Sequence, residues 1–304
     1  MKGETRESAP SVPPRGLSPL GALLRRHDRD RYQTALFAPA ERREALFALY
    51  AFNYEIARVR ESVTETMLGQ IRLQWWREVV EAAYAGDASR PHEVAAPLSA
   101  AIREFGLSRA PFERLIDARE RDLDDAPPAT MAALEDYAEA TSASLICLAL
   151  EILGVRDAAA TEDAHPAGDT TETAAVHIGI AYALTGLLRA MPFHARAGRS
   201  YIPAELAART GLDPRDYAAG RGSDALRAAA AEIATEAAGH LAAARRHRAE
   251  VPRAALPALL PAIVAERALT RLRRADWNPF DPRVAAPDAG LSWHLLLAHL
   301  SRRF

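Results

Sequence analysis

The chain has 304 residues, of which 49% are hydrophobic and 26% are charged, so it can bury a sizeable core. Its formal net charge of −2 gives no basic excess, which argues against nucleic acid as a partner. Cys147 is the single cysteine, which excludes an internal disulfide and a thiolate metal cluster and favours a reducing compartment.

The first segment, MKGETRESAPSVPPRGL, is rich in Pro, Ser and Arg and lacks the continuous apolar run of a secretory signal. We expect a disordered tail over residues 1–17 and one helical domain over 18–304, with the polar stretch 154–169 as a surface loop of that domain. No window approaches the roughly eighteen apolar residues of a spanning helix. The sequence therefore predicts a cytoplasmic protein without a transmembrane helix, with peripheral contact at the inner membrane as an option.

Apolar residues recur at three- and four-residue spacing, and the alternation typical of half-buried strands is missing. This pattern predicts an all-α protein. The predicted helices cover 19–27, 31–37, 40–61, 64–85, 92–105, 109–124, 131–153, 171–190, 204–209, 224–248, 254–275 and 291–302. Ser62 and Glu65 have the spacing of a capping box, and glycines at C-cap positions are Gly86, Gly106 and Gly154.

Two segments are apolar on every face: ALFALYAF (45–52) and HIGIAYALTGLL (177–188). Helices of this kind belong in the middle of a bundle. Two such central helices can enclose a cavity whose walls they supply.

Five segments resemble, in order and spacing, the signatures of the squalene/phytoene synthase family. They are LYAF (49–52), RLQWWREVVEAAYAG (72–86), DLDDAPPATMAALEDYAEATSASL (122–145), GRSYIPAEL (198–206) and RLRRADWNPFDPRV (271–284). The resemblance implies an all-α isoprenoid (terpenoid) synthase-like helical bundle around a central cavity. In active members this fold joins two prenyl diphosphates head to head.

That reaction needs magnesium ions held between the diphosphate oxygens and two facing acidic boxes. The resemblance implies that active members carry these acids after the LYAF-like segment and before the GRSYIP-like segment. The matching positions here are Ala57, Arg58, Glu61, Ala190, Phe193 and His194. Only Glu61 can ligate a cation, and Arg58 would repel one. We therefore expect no catalytic residue and no cofactor, with Mg²⁺ at Glu61 only if the synthase reaction is retained.

The acid-free segment LRAMPFH (188–194), with Pro192 predicted to break its helix, resembles one branch of the family more closely. Residues 53–76 carry the same resemblance. This branch includes the mitochondrial assembly factor for respiratory complex I, NADH:ubiquinone oxidoreductase. It implies a non-catalytic role with a protein partner in a respiratory membrane complex. The alternatives are an active head-to-head prenyl transferase and a lipid or isoprenoid carrier.

Several side chains near the acid-free segment suit a prenyl or phospholipid phosphate without metal. The candidates are Arg189, His194, Arg196, Arg199, Tyr54 and Tyr201. Alternatively, the basic groups bond to loop carbonyls and the tyrosines pack in the core. The acids Asp122, Asp124 and Asp125 are interpreted as a solvated helix end. The C-terminal LSWHLLLAHLSRRF is interpreted as a final core helix, with a membrane surface or a partner groove as its alternative contact.

Overall fold

The computed structural model describes residues 16–88, 90–155 and 170–304. Most of the expected tail and of the polar stretch 154–169 lies outside the described residues. Regular secondary structure in the described ranges is entirely helical, which confirms the predicted fold class.

The helices are numbered in chain order. They are α1 Pro19–His27, α2 Arg29–Ala35, α3 Ala40–Ala57, α4 Thr66–Ala85, α5 Ala95–Phe105, α6 Arg109–Arg121, α7 Met131–Ala138, α8 Ser144–Ile152, α9 Thr170–Arg196, α10 Ala204–Thr210, α11 Pro214–Ala218, α12 Asp224–Arg246, α13 Leu256–Leu259, α14 Pro261–Arg274, α15 Pro282–Ala285 and α16 Leu291–Ser301. A π-helical turn, Glu139–Ala143, joins α7 to α8, and 3₁₀ turns cover Arg60–Ser62 and Arg253–Ala255.

Each predicted helix has a counterpart, but some boundaries and two short helices were missed. The predicted helix 40–61 ends at Ala57, where α3 gives way to the 3₁₀ turn. Helices α11 and α15 were not predicted, because each is a short segment with no apolar period. Both begin at an Asp-Pro pair, in which Asp213 or Asp281 accepts a backbone N–H two residues on.

Helix α9 continues through Pro192 to Arg196, so the predicted break was wrong. Proline removes one hydrogen bond and costs a helix interior about 3 kcal/mol in isolation. Buried side chains lie on both sides of Pro192 and keep this segment packed on the body of the protein. They are Leu188 and Met191 before the proline and Ala195 after it. Tertiary packing therefore outweighs the local cost.

The helix-end signals were right for the glycines and wrong for the capping box. Positive φ angles place Gly86, Gly106 and Gly154 just after α4, α5 and α8. Ser62 instead donates its hydroxyl to the Val59 carbonyl at 2.8 Å and accepts from Arg72 at 2.6 Å. Glu65 takes the N-cap position of α4 without a side-chain hydrogen bond.

Helix α9 lies at the centre of the bundle, where it packs against α7, α8, α12, α14 and the π-helical turn. By length and composition it is also long and apolar enough to cross a membrane, which the sequence analysis did not anticipate. However, 56% of its most apolar 18-residue window is buried against other parts of the protein. This burial is typical of a core helix.

Gly179 brings α9 unusually close to the π-helical turn. A Cβ atom at this position would lie 2.5 Å from the backbone nitrogen and 2.8 Å from the Cβ of Ala143. Backbone atoms cannot move aside as the end of a flexible side chain can. The absence of a side chain at Gly179 therefore sets the distance between these two central elements.

We predict that Gly179→Ala lowers the free energy of unfolding by about 1–3 kcal/mol, because overpacking displaces backbone. Urea denaturation followed by circular dichroism measures this change. Gly186→Ala on the same helix is the matched control, since its Cβ would have no heavy atom within 4 Å. The control should be neutral or stabilising by up to about 1 kcal/mol. Equal stability of the two variants would contradict the close approach.

Candidate functional site

Three of the six candidate ligand-binding residues point in separate directions. The Tyr54 ring stacks on His27, with 5.0 Å between ring centroids. Arg189 forms an ion pair with Asp30 at 2.8 Å and faces α2. Arg196 is exposed at the end of α9. These residues do not share one pocket, as a joint phosphate site would require.

The other three come together at the end of α9: His194 on its last turn, and Arg199 and Tyr201 in the segment that follows. Arg199 is only 9% exposed, and its Nη2 donates to the Tyr201 hydroxyl at 2.8 Å and to the Asp122 backbone carbonyl at 3.2 Å. The imidazole of His194 meets the Tyr201 ring edge-on, with 4.8 Å between centroids. Arg199 therefore bonds a loop carbonyl, as one of the two sequence interpretations expected.

Asp122 is the acceptor on which this group converges. Its carboxylate accepts from the hydroxyls of Tyr201 at 2.7 Å and Tyr137 at 2.8 Å, and from Arg119 Nη1 at 3.1 Å. The Asp122 residue is 5% exposed. We call Arg119, Asp122, Tyr137, Arg199 and Tyr201 the Asp122 cluster.

The interpretation of residues 122–125 as a solvated helix end was therefore wrong for Asp122. It holds for Asp124 and Asp125, which are exposed. The error has a physical reason: the tyrosines that cover Asp122 come from other segments of the chain, so no local sequence pattern indicates that Asp122 is buried. Arg119 and Tyr137 were not among the residues predicted for this group.

The two phenols of the cluster act as hydrogen-bond donors at neutral pH. Burial raises the pKa of Tyr137 well above its usual value, and burial next to Asp122 raises the pKa of Tyr201. Arg119 Nη1 also donates to the Tyr137 hydroxyl at 2.7 Å. The carboxylate oxygens of Asp122 are thus occupied by donors within the protein.

His194 is a neutral base in this setting. Burial lowers the pKa of its imidazole to about 4, and the positive charge of Arg199 acts in the same direction. Its Nδ1 atom is buried without a hydrogen-bond partner among the described residues. At neutral pH the side chain therefore supplies no positive charge for a phosphate.

The positions that match the first acidic box lie where α3 ends. Ala57 is the last residue of the helix, Arg58 is its C-cap, and Glu61 lies in the 3₁₀ turn. Partial desolvation raises the pKa of the Glu61 carboxyl, while the nearby charges of Arg199 and Arg58 oppose that shift. The single acid of this group therefore has guanidinium groups as its neighbours.

The positions that match the second box, Ala190, Phe193 and His194, lie on the last two turns of α9 and add no carboxylate. Within residues 16–88, 90–155 and 170–304, no group of three or more His, Cys, Asp or Glu side chains could hold a metal ion. Magnesium prefers several oxygen ligands in octahedral geometry. The residues present do not fit a magnesium site.

A half-buried ion pair lies between α2 and the two central helices. Arg31 pairs with Asp28 at 2.8 Å, and its guanidinium lies 4.9 Å from the ring centroid of Tyr182 on α9. Burial disfavours this charge, but Tyr182 and Asp28 outweigh that effect and raise the pKa of Arg31. Burial also raises the pKa of Tyr50, on α3, which is close enough to interact with Arg31. No sequence pattern indicates this burial, since HDRDRY (27–32) has the composition of a solvated helix.

Little space remains next to His194. The cavity lined by Leu134, Leu187, Met191, Tyr201 and other apolar side chains has a volume of about 10 Å³, room for about one water molecule. An open depression of about 270 Å³ lies over the Asp122 cluster. The filled cavity argues against storage of a prenyl chain beside His194.

Histidines that are distant in the sequence meet between α7, α9 and α12. His177 Nδ1 lies 2.9 Å from His240 Nδ1, and His240 Nε2 lies 3.0 Å from Glu135 Oε1. Sequence spacing offered no i, i+4 histidine pair and could not reveal this contact. The direct bond between the two ring nitrogens makes it a hydrogen-bonded chain linking three helices.

The family model for squalene/phytoene synthase matches residues 24–290. The chain belongs to this family. A complex I assembly factor 6 from Mus musculus is 34% identical over 298 residues, covering 98% of this chain and 85% of that protein. The presqualene diphosphate synthase of Rhodopseudomonas palustris is 31% identical over 226 residues, covering 73% and 75%. The crystal structure of squalene synthase HpnC from Alicyclobacillus acidocaldarius matches with a TM-score of 0.71 at 24% identity, covering 86% of this chain and 95% of that one.

These comparisons confirm both the family and the isoprenoid synthase-type bundle predicted from the five signatures. The relatives include proteins named as assembly factors and proteins named as synthases. A magnesium-dependent synthase reaction needs facing carboxylates at the box positions. Five of the six box positions in this chain provide no carboxylate. They hold Ala57, Arg58, Ala190, Phe193 and His194.

We predict that Asp122→Asn lowers the free energy of unfolding by about 3 kcal/mol, because it removes the buried charge that balances Arg119 and Arg199. Thermal and urea denaturation measure the loss. Asp124→Asn, two residues away and exposed, is the control and should change stability by no more than about 0.5 kcal/mol. Similar stability of the two variants would contradict the bonding assigned to Asp122.

We also predict a pH dependence that comes from His194. Its pKa is about 4 in the folded protein, against a usual value of 6.5, so the unfolded chain binds more protons between these values. Stability therefore falls as the pH drops from 6.5 towards 4 and is unaffected by this group above 6.5. His194→Phe should lose less stability over that interval in urea denaturation. A stability difference between variant and wild type that does not change with pH would contradict the shift.

Proposed function

We propose that this protein has the synthase fold without the synthase reaction and acts as an assembly factor for respiratory complex I, the NADH dehydrogenase. One observation carries the proposal: the positions of both acidic boxes hold a single carboxylate, Glu61, with Arg58 and Arg199 close by. In this role the protein needs no cofactor and acts through a protein partner in the membrane complex.

The chemistry of the reaction explains why this observation is decisive. Ionisation of an allylic diphosphate places negative charge on the leaving group, and bound magnesium ions neutralise that charge. The guanidinium groups of this region are already engaged, Arg189 by Asp30 and Arg199 by Tyr201 and Asp122. They cannot replace the missing ions without breaking those contacts.

Similarity supports the same proposal. The mouse assembly factor 6 matches almost the full chain, whereas the presqualene diphosphate synthase matches about three quarters of it. The latter similarity keeps an active head-to-head prenyl transferase, using Mg²⁺ at Glu61, as the alternative. A lipid or isoprenoid carrier is less favoured, because side chains fill the cavity beside His194.

We predict no diphosphate release when the purified protein is incubated with farnesyl or geranylgeranyl diphosphate, magnesium and NADPH. The presqualene diphosphate synthase from R. palustris serves as the positive control. Release above the protein-free background that disappears in Glu61→Ala would overturn the non-catalytic proposal.

We further predict that deletion of the gene in its own organism lowers NADH:ubiquinone reductase activity in isolated membranes, with succinate-dependent respiration as the unaffected control. Wild type and Glu61→Ala should restore this activity equally, because the proposed role does not use a metal ligand. Rescue by wild type alone would indicate chemistry at Glu61. An unchanged activity in the deletion strain would refute the assembly role.

A further inference from the structure

Helix α16 presents an apolar stripe to the outside of the protein. Trp293 is 62% exposed and Leu300 is 64% exposed, and Leu296 and Leu297 lie exposed between them. The spacing of these residues, i, i+3, i+4 and i+7, places them on one helix face. The sequence analysis favoured a final core helix, and that describes only the opposite face, which buries Leu291, Leu295 and Ala298.

The body of the protein holds this helix in a fixed orientation. Ser292 accepts a hydrogen bond from the Gln33 side chain at 2.7 Å, and the His299 ring lies 5.1 Å from the ring of Phe37. Both contacts come from α2 and the turn after it. The apolar stripe therefore belongs to a surface held in place by the body of the protein, beside a depression of about 510 Å³ between α2 and α16.

Arginines lie at two borders of the stripe. Arg302 and Arg303 follow the last turn of α16, while Arg25 and Arg29 line the depression shared by α2 and α16. All four are exposed, and none forms an ion pair with a described residue. No acid occurs between Asp288 and the last residue of the sequence. The border is therefore positive on a chain whose formal net charge is −2.

The turn that ends α16 keeps two of these arginines beside the stripe. Arg302 has a φ of 54°, a left-handed conformation that is strained for any residue except glycine. The N–H of Arg303 bonds the Ala298 carbonyl at 2.8 Å, and the side chain of Phe304 returns to the core. The chain thus reverses at the helix end, which holds Arg302 and Arg303 at the surface.

We propose that the exposed face of α16 docks this protein on a bilayer that contains anionic phospholipids. The Trp and Leu side chains would enter the headgroup boundary, and the four arginines would contact lipid phosphates. Trp prefers this boundary, and an exposed apolar helix face with basic borders is typical of helices that lie in the interface plane. The inference does not depend on the proposed role in complex I assembly, since it concerns lipid binding alone.

Flotation of the full-length protein with vesicles tests the proposal. We expect binding to vesicles of phosphatidylcholine and phosphatidylglycerol, weaker binding at high salt, and little binding to phosphatidylcholine alone. The variant Trp293→Gln/Leu297→Gln/Leu300→Gln should bind at least about tenfold more weakly, because it removes most of the inserted apolar surface. Gln keeps a good helix propensity, and unchanged circular dichroism and melting temperature would show that the variant folds.

Two control variants test whether binding depends on this face or on exposed apolar side chains and positive charge anywhere on the surface. Met67→Gln/Ile71→Gln removes exposed apolar side chains from α4 and should bind like wild type. Arg302→Gln/Arg303→Gln should weaken binding to anionic vesicles about tenfold. Arg273→Gln/Arg274→Gln removes the same charge from the far end of α14 and should have a much smaller effect.

Tryptophan fluorescence gives a second readout. Lipids brominated in the acyl chain should quench the wild-type emission, and this quenching should be lost in Trp293→Gln. Absence of vesicle binding, binding that survives the α16 variant, or equal binding to neutral and anionic vesicles would overturn the proposal. A dimer in analytical ultracentrifugation that the α16 variant dissolves, without lipid binding, would assign this face to a second copy of the chain and also overturn it.

Discussion

A buried carboxylate shared between two tyrosines and two arginines connects three parts of this chain that are distant in the sequence. Asp122 closes α6, Tyr137 belongs to α7, and Arg199 and Tyr201 follow α9. The polar groups of each segment find hydrogen-bond partners in the others. These hydrogen bonds act together with the buried side chains of Met191 and Ala195 to fix the end of α9, where His194 lies. A buried charge in such a network is stabilising only while all its partners are present.

Similar pairing engages the acids around the central helices. Acids in this region serve as acceptors for the protein's own donors: Asp122 for the tyrosines, Asp28 for Arg31 and Asp30 for Arg189. Beside His194 the space between the packed helices is reduced to about 10 Å³. The fold itself depends on apolar packing around α9, which the polar residues at its edge do not disturb.

The sequence was sufficient to predict the fold but not the contacts within the candidate site. Apolar spacing predicted the helices, and the five signatures indicated the family, because both are properties of local sequence. The empty acidic boxes were also readable, since Ala57 and Phe193 cannot ligate magnesium in any conformation. Asp122 and Arg31 were missed because their burial depends on side chains from distant helices. The predicted helix break at Pro192 was wrong. The free-energy cost of a proline within a helix can be inferred from the sequence, whereas the packing that offsets this cost is seen only in the structure.

The ion pair of Arg31 with Asp28 has a consequence for the substitutions that the protein tolerates. Removing the guanidinium alone leaves Asp28 as an uncompensated and largely desolvated charge, and removing Asp28 alone does the same to Arg31. Breaking a buried pair in this way costs about 3–5 kcal/mol, although replacing both members by well-packed apolar residues can be neutral. Substitutions at Asp28 and Arg31 are therefore coupled, so that a change at one position is tolerated best together with a compensating change at the other. Residues that do not touch this pair are free to vary independently of it.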